Sequence, residues 1–526
     1  ILRNLLDRGW NNMESGRTNK SFRNSIYALI VQGITVLLNF AIRTVFIKTL
    51  SVAYLGLNGL FTNILNVLSF AELGFGTAIV YAMYKPIAQN DTKRISAYMN
   101  YFKIVYKIVG LIILVVGFLL IPNLNFFISD TAEIPADAPA LVLIYILYLV
   151  NSAASYFFNY KRSLVVATQN GFIDSRNQLE FNFLKCAAQF LILISFKSYL
   201  GYLVIQIACT LLGNMAISVK ADKMFPYLKE NKDAELNKDE KRSLAKNVVA
   251  MSFHKLGSVV VSGVDNILIS KFAGIVAMGC YSNYTLLTAT IKTVFVQIMT
   301  PITASVGNFV AEKTKDDSYN FFHKLFFVNA YGAVFCSSCL MVLANPFIEL
   351  FWGEQYLFTN NIVLLLLFNF YIDRMRQASQ IYIDTNGLFW PIKWKSFVEA
   401  IVNLVASLSL LLIFNLGIEG IIIGTLISNF ATNFWWEPYA VYKYSFNKNL
   451  KDYFIRYVKY TIALLVSVLI SGGIVSLLPN GIVMFLVKCL IAAIVPNLVM
   501  LILFGKSQEY QYLKEILIKV ILRVKK

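Results

Sequence analysis

Charge is the scarcest property of this chain. Only 14% of its 526 residues are charged, against 57% hydrophobic, and the mean hydropathy is +0.62. A soluble domain of this size needs a charged surface. What charge there is falls in short stretches between long apolar runs, which excludes the soluble classes. Nucleotide-binding signals are also missing. The nearest approach to a phosphate loop is "LFGKS" at 503–507, and position 500, where that motif needs glycine, is Met. Histidine occurs twice and cysteine six times. The one C-x-x-C spacing, Cys336 to Cys339, lies in mid-span without a second ligand pair, so it reads as small buried hydrophobes and not as a metal site. No folded module for nucleic acid is visible.

Apolar runs of about 20 residues are what is present, each long enough to cross roughly 30 Å of hydrocarbon as a helix. Fourteen spans are expected, near 24–46, 55–83, 104–121, 138–160, 181–197, 199–219, 247–270, 275–300, 322–344, 361–383, 392–414, 416–440, 457–478 and 482–504. The fold class is therefore an all-α integral membrane protein. The organisation expected is a polar, basic N-terminal segment 1–23, a first half 24–219, an inter-lobe loop 220–246, a second half 247–440, two extra spans 441–504 and a basic tail 505–526. The N-terminal segment does not have the form of a cleaved signal peptide. In the tail, Leu513, Leu517, Val520, Ile521 and Val524 share one helical face, as in a helix lying on the inner membrane surface.

Lys and Arg set the orientation. With the N-terminus inside, 40 of the 47 basic residues fall in inner zones. Arg43, Lys48, Lys197 and Lys271 fall outside, while Lys255, Lys292 and Lys488 lie within spans. Outer loops carry acids, among them Glu349 and Glu354. Both termini and the 220–246 loop are thus expected inside, and the formal charge of +18 reports topology more than partners.

A repeat is written into the spans. At a shift of 223 residues, Gly56 meets Gly279 and Lys48 meets Lys271. Span one carries Gln32, Thr35, Asn39 and Arg43. Span seven carries Lys255, Ser258, Ser262 and Asn266 at the same shift. Steps of three and four place each set on one helical face. A polar stripe on a membrane helix faces protein or water. Polar first and second helices in each half point to a transporter with its site between halves. Arg43, Lys255 and Lys292, with Lys48 and Lys271 at the outer mouth, read as a cation-lined route in which Arg43 grips a phosphate through its planar fork. Two other readings stay open: Arg43 and Lys48 snorkel to headgroups, or Arg43 pairs with Asp265. Glu72, Asp265 and Glu399 are candidate coupling carboxylates. His254 is either a proton-linked group or a structural one.

The runs "FIKTLSVAYLGLNGLF" at 46–61 and "ELGFGTAIVYAMYKPIA" at 72–88 resemble the N-terminal signature of bacterial polysaccharide transporters. These are oligosaccharide-lipid flippases of the multidrug/oligosaccharidyl-lipid/polysaccharide (MOP) flippase superfamily. The resemblance implies two pseudo-symmetric six-helix lobes around a central cavity, plus two extra C-terminal helices. It implies residence in the bacterial cytoplasmic membrane, no enzymatic activity, and alternating access for an undecaprenyl-diphosphate-linked oligosaccharide. Its cavity cations correspond by position to Arg43, Lys255 and Lys292; the accompanying Glu72 and Asp265 depart from a purely basic cavity. No cofactor is expected beyond an H+ or Na+ gradient or the membrane potential. Membrane lipids and polysaccharide assembly machinery are the expected partners. An ion-coupled multidrug exporter of the same superfamily shares the fold. A membrane polysaccharide polymerase would call for a large basic outer loop, and the outer loops here are short and acidic.

Overall fold

The computed structural model describes residues 17–69, 75–128, 134–135, 138–168 and 170–524, with the side chains of 17–29, 251–262 and scattered other positions outside the description. Among the described residues the secondary structure is entirely helical. Eight helices are long and apolar enough to cross a membrane, or nine if the bent pair Leu141–Tyr156 and Tyr160–Ala167 is one span. The chain is a multi-pass membrane protein.

Helices are numbered in chain order. They fall into two compact units, the first comprising Ile1–Leu50, Leu68–Leu124 and Asp137–Ser252. This unit holds α1 (Arg17–Thr49), α3 (Phe75–Ala88), α4 (Thr92–Leu120), α5 (Leu141–Ala167), α6 (Gly171–Phe196), α7 (Tyr199–Met224), α8 (Tyr227–Glu230) and the start of α9 (Lys238–Phe272). α1 lies along α6, and α5 lies between α4 and α7. Phe46 of α1 is 1% exposed and meets the rings of Tyr199 and Tyr202 edge-on. The 220–246 segment, expected as a loop, is largely helical. α7 runs on through Met224, and α9 begins at Lys238. The reason is a reciprocal cap: Asn237 Oδ1 accepts from Glu240 N at 2.8 Å, and Glu240 Oε2 accepts from Asn237 N at 3.1 Å. The segment is tied down by Asn100, whose amide donates to the carbonyls of Asn231, Lys232 and Ala234, and by Arg94 Nε on Glu240 at 2.7 Å.

The second unit comprises Ser51–Val67, Asn125–Ala136 and Phe253–Lys526. It holds α2 (Val52–Leu68), the rest of α9, α10 (Ile275–Glu312), α11 (Lys315–Phe351), α12 (Asn360–Met375), α13 (Gln377–Asn386), α14 (Lys395–Leu412), α15 (Gly417–Ser428), α16 (Phe434–Ala440), α17 (Lys451–Ser476), α18 (Ile482–Phe504) and α19 (Gln508–Val524). α11 is its spine and packs on α12, α17, α18 and α19. The core is aromatic: Phe322, Phe326, Tyr371, Tyr382, Tyr442 and Tyr453 are each at most 1% exposed. Leu469, Leu477 and Ile502, by contrast, project outward at 74%, 84% and 79% exposure, as a lipid-facing surface requires.

The repeat is visible in this unit as a reciprocal contact. A Cβ placed on Gly56 would lie 2.0 Å from the Ile275 carbonyl oxygen, and one on Gly279 would lie 2.6 Å from that of Val52. Both pairs are related by the same 223-residue shift. Two glycines let α2 and α10 cross backbone to backbone, as small residues do between membrane helices. The tenth expected span, 361–383, is broken at Arg376 between α12 and α13. The twelfth, 416–440, passes into a π-helical segment at Asn429–Asn433.

Candidate functional site

In the first unit the candidate site forms around Arg43. Gln32, Asn39 and Arg43 are half-buried on α1, and Lys48 is exposed. Arg43 stands close enough to the phenols of Tyr148 and Tyr202 to act on both electrostatically. The Tyr148 and Tyr199 hydroxyls are 3.3 Å apart. The cation therefore borders a tyrosine wall built by α5 and α7. Lys185 of α6, assigned by sequence to an inner zone, sits half-buried beside Cys186 and Cys209. Its signal was present: Asp174, Gln178, Asn182, Lys185 and Gln189 recur at helical spacing in an apolar run. About three turns earlier on α6, Asp174 Oδ1 meets Arg162 Nε at 2.7 Å, and Gln178 donates to the same carboxylate at 2.8 Å.

In the second unit, charge gathers where sequence reading placed an inner loop. Lys292, half-exposed, donates to Asp373 Oδ2 at 3.0 Å. Arg374, 2% exposed, holds the same oxygen at 2.5 Å with its guanidinium over the rings of Phe295 and Phe370. Those rings stand in for hydrogen-bond acceptors at a face that Nε and Nη1 leave unpaired among the described residues. Arg376 forks onto Glu437, Nε to Oε2 at 2.9 Å and Nη2 to Oε1 at 2.6 Å. Lys395 reaches Glu437 at 2.7 Å and Glu399 at 3.5 Å, and Asn433 donates to Glu399 at 2.6 Å. Lys292, Arg374, Arg376 and Lys395 thus face Asp373, Glu399 and Glu437 in one network across α10, α12, α14 and α16. Arg374, Arg376 and Lys395 belong to an inner zone by sequence; the structure sets Arg374 on its neighbour Asp373 and brings Arg376 and Lys395 onto Glu437 of α16. The π-helical turn at Asn429–Asn433 rotates Asn433 to bridge Lys395 and Glu399.

The remaining sequence candidates separate. Asp265, buried, accepts from Thr425 Oγ1 at 2.7 Å and Asn403 Nδ2 at 3.2 Å, which are neutral groups. Asn266 is half-buried on the same turn. Lys271 lies over the Phe126 ring at 5.0 Å. Glu399 is bound into the network just described. Glu72, and the side chains of His254, Lys255 and Ser262, lie outside the described residues. His323, which the sequence did not place deep in a span, is buried with Nε2 3.1 Å from Tyr442 Oη and 3.2 Å from Asp452.

The two units share one charged device. Lys161 Nζ on α5 meets Asp222 on α7 at 2.6 Å, and Arg376 meets Glu437 at the same 61-residue separation, 215 residues on. Each unit thus holds two of its own helical segments together with a lysine- or arginine-to-carboxylate pair.

The all-helical fold is shared with solved structures of membrane transporters. Among solved structures, the lipid II flippase MurJ in an inward closed conformation superposes with a TM-score of 0.62, covering 91% of this chain and 99% of its own at 16% identity. An inward-facing multidrug resistance MATE family transporter gives 0.59, covering 79% and 98% at 13% identity. The Vibrio cholerae MATE transporter VcmN gives 0.57, covering 82% and 97% at 15% identity. At these identities the likeness is one of fold. No protein-family model and no curated protein sequence matches the chain.

Proposed function

We propose that this protein flips an undecaprenyl-diphosphate-linked oligosaccharide, such as a capsule, exopolysaccharide or O-antigen repeat unit, from the inner to the outer leaflet of a bacterial cytoplasmic membrane. One observation carries the reading: the likeness to a lipid-carrier flippase extends over 91% of the chain, against 79% and 82% for the multidrug transporters. The polar head of such a substrate cannot cross hydrocarbon unaided, whereas its lipid tail can stay in the bilayer. Arg43 beside its tyrosine wall supplies a planar donor fork for a phosphate, with phenols for sugar hydroxyls. Lys185 and the half-exposed Lys292 add positive charge, and Lys255, Lys48 and Lys271 remain proposed contacts. No bond in the substrate is made or broken. Alternating access driven by an ion gradient or the membrane potential supplies the work. Asp265, held only by neutral donors among the described residues, is the carboxylate proposed to couple it; Glu399 is the weaker candidate because Lys395 neutralises it.

Export of a cationic drug or metabolite is the second reading. The buried Asp265 and the TM-score of 0.59 to a multidrug transporter favour it. Deleting the encoding gene separates the two. Flipping predicts loss of surface polymer and accumulation of the lipid-linked repeat unit in the inner leaflet. Unchanged polymer, with a lowered tolerance to cationic dyes, would establish export instead.

A further inference from the structure

A cavity with a mixed polar and apolar lining lies in the second unit and shares no lining residue with the charged network. It encloses about 300 Å³ between the end of α11 and the start of α18, lined by Glu349, Glu354, Asn480, Phe485 and Lys488 together with the backbone of Gly353 and Gly481. That volume is at the small end of ligand pockets, about 300–1,000 Å³. Both glycines have positive φ, 109° and 141°, which a side chain would strain. They give the cavity a wall of bare backbone.

Lys488 is the unusual group. It is 4% exposed on an apolar helix, and its ammonium donates to Asn480 Oδ1 at 3.0 Å. Among the described residues this is one of three N–H donors used, so two are left for something else in the cavity. Asn480 in turn donates its amide to Glu349. The exposed Glu354 adds a second carboxylate on the same wall. Phe485 is held by the rings of Phe347 and Phe351, at 5.9 and 6.0 Å, and offers an apolar face. A buried ammonium needs acceptors and carboxylates need donors. One small molecule that offers both from adjacent atoms, with an apolar C–H face for an aromatic ring, is a sugar.

We propose that this cavity binds a single hexose-sized sugar unit, its vicinal hydroxyls bridging Lys488 and the Glu349 and Glu354 carboxylates while one ring face rests on Phe485. The inference rests on the proposed function: in that orientation the cavity opens at the outer end of the span pair and would receive a sugar of the repeat unit as it emerges. A divalent cation on the two glutamates is the competing occupant.

The test is saturation-transfer NMR on the full chain in nanodiscs. Methyl glucoside, methyl galactoside, methyl mannoside and N-acetylglucosamine are each presented at millimolar concentration. At least one should receive saturation, with the signal at least tenfold weaker in Asn480→Ala. Glu354→Gln, on an exposed side chain that does not hold the fold together, should weaken it as well. No transfer to any of the four would overturn the site. So would equal transfer in wild type and both variants, or a calcium-induced rise in melting temperature abolished by Glu354→Gln in the absence of sugar binding. Loss of sugar binding with transbilayer flipping intact removes only this cavity. Sugar binding without flipping removes the flippase reading and leaves the cavity.

Discussion

Arg43 is where the proposed recognition concentrates. A planar fork is lost on Arg43→Lys while the charge stays, so export should fall; Arg43→Ala should abolish it in a protein that still inserts. A charged hydrogen bond contributes roughly 1.5–3 kcal/mol, about ten- to over a hundredfold in affinity. Simple snorkelling predicts a silent Arg43→Lys, and full export by well-expressed Arg43→Ala would end the substrate role. Glu437 makes the opposite kind of prediction. It is 2% exposed between Arg376 and Lys395. Glu437→Gln leaves two buried cations short of a carboxylate and should cost about 3–5 kcal/mol, read as a lower melting temperature in detergent. Arg43 could be singled out from sequence because its stripe lies on one helix. Arg376 and Lys395 could not: their carboxylate partner Glu437 is 61 residues from Arg376, and in sequence those cations are indistinguishable from the loop cations that set orientation.

At the scale of helices, the α2–α10 crossing depends on two missing side chains. A Cβ at Gly56 would enter the Ile275 carbonyl, so the backbones must separate to admit it. Gly56→Ala and Gly279→Ala should each lower the yield of folded protein, and a larger residue such as Leu should abolish it. Wild-type yield and melting temperature in both alanine variants would contradict the close crossing. The sequence showed this pair only as a repeat of identities; that the two glycines face each other's backbones required the fold. Span boundaries were legible where hydropathy changes sharply and lost where a helix continues past the apolar run, as α9 does behind its Asn237–Glu240 cap. The tail helix α19 was legible from its periodicity, yet it also docks on protein. Glu509 receives Arg456 Nη1 at 2.6 Å. Burial is the largest influence on the Glu509 carboxyl and pushes its pKa up, but a backbone hydrogen bond and Arg456 outweigh it and hold the value below the usual one. A depressed folded pKa stabilises docking above the unfolded value, about 4.3. That contribution fades as pH falls through the folded value. Proteolysis of the tail should therefore quicken below about pH 4, and Glu509→Gln should show the faster cleavage already at neutral pH. Cleavage that does not change with pH would contradict the latch.

In the whole molecule, scarce and segregated charge goes with a multi-pass helical protein whose fold is shared with a lipid II flippase and multidrug transporters. Substrate is the step that fold alone does not supply, because the same architecture serves a lipid II flippase and a multidrug resistance transporter among its structural neighbours. The direct measurement is transbilayer movement in proteoliposomes. The purified chain is reconstituted without ATP, a fluorescent undecaprenyl-diphosphate oligosaccharide is placed in one leaflet, and its appearance in the other is followed by an impermeant quencher under an imposed proton gradient or potential. The account predicts movement that responds to the gradient, is slowed at least tenfold by Arg43→Ala and needs no nucleotide. Movement no faster than in protein-free liposomes, or movement strictly dependent on ATP, would contradict it.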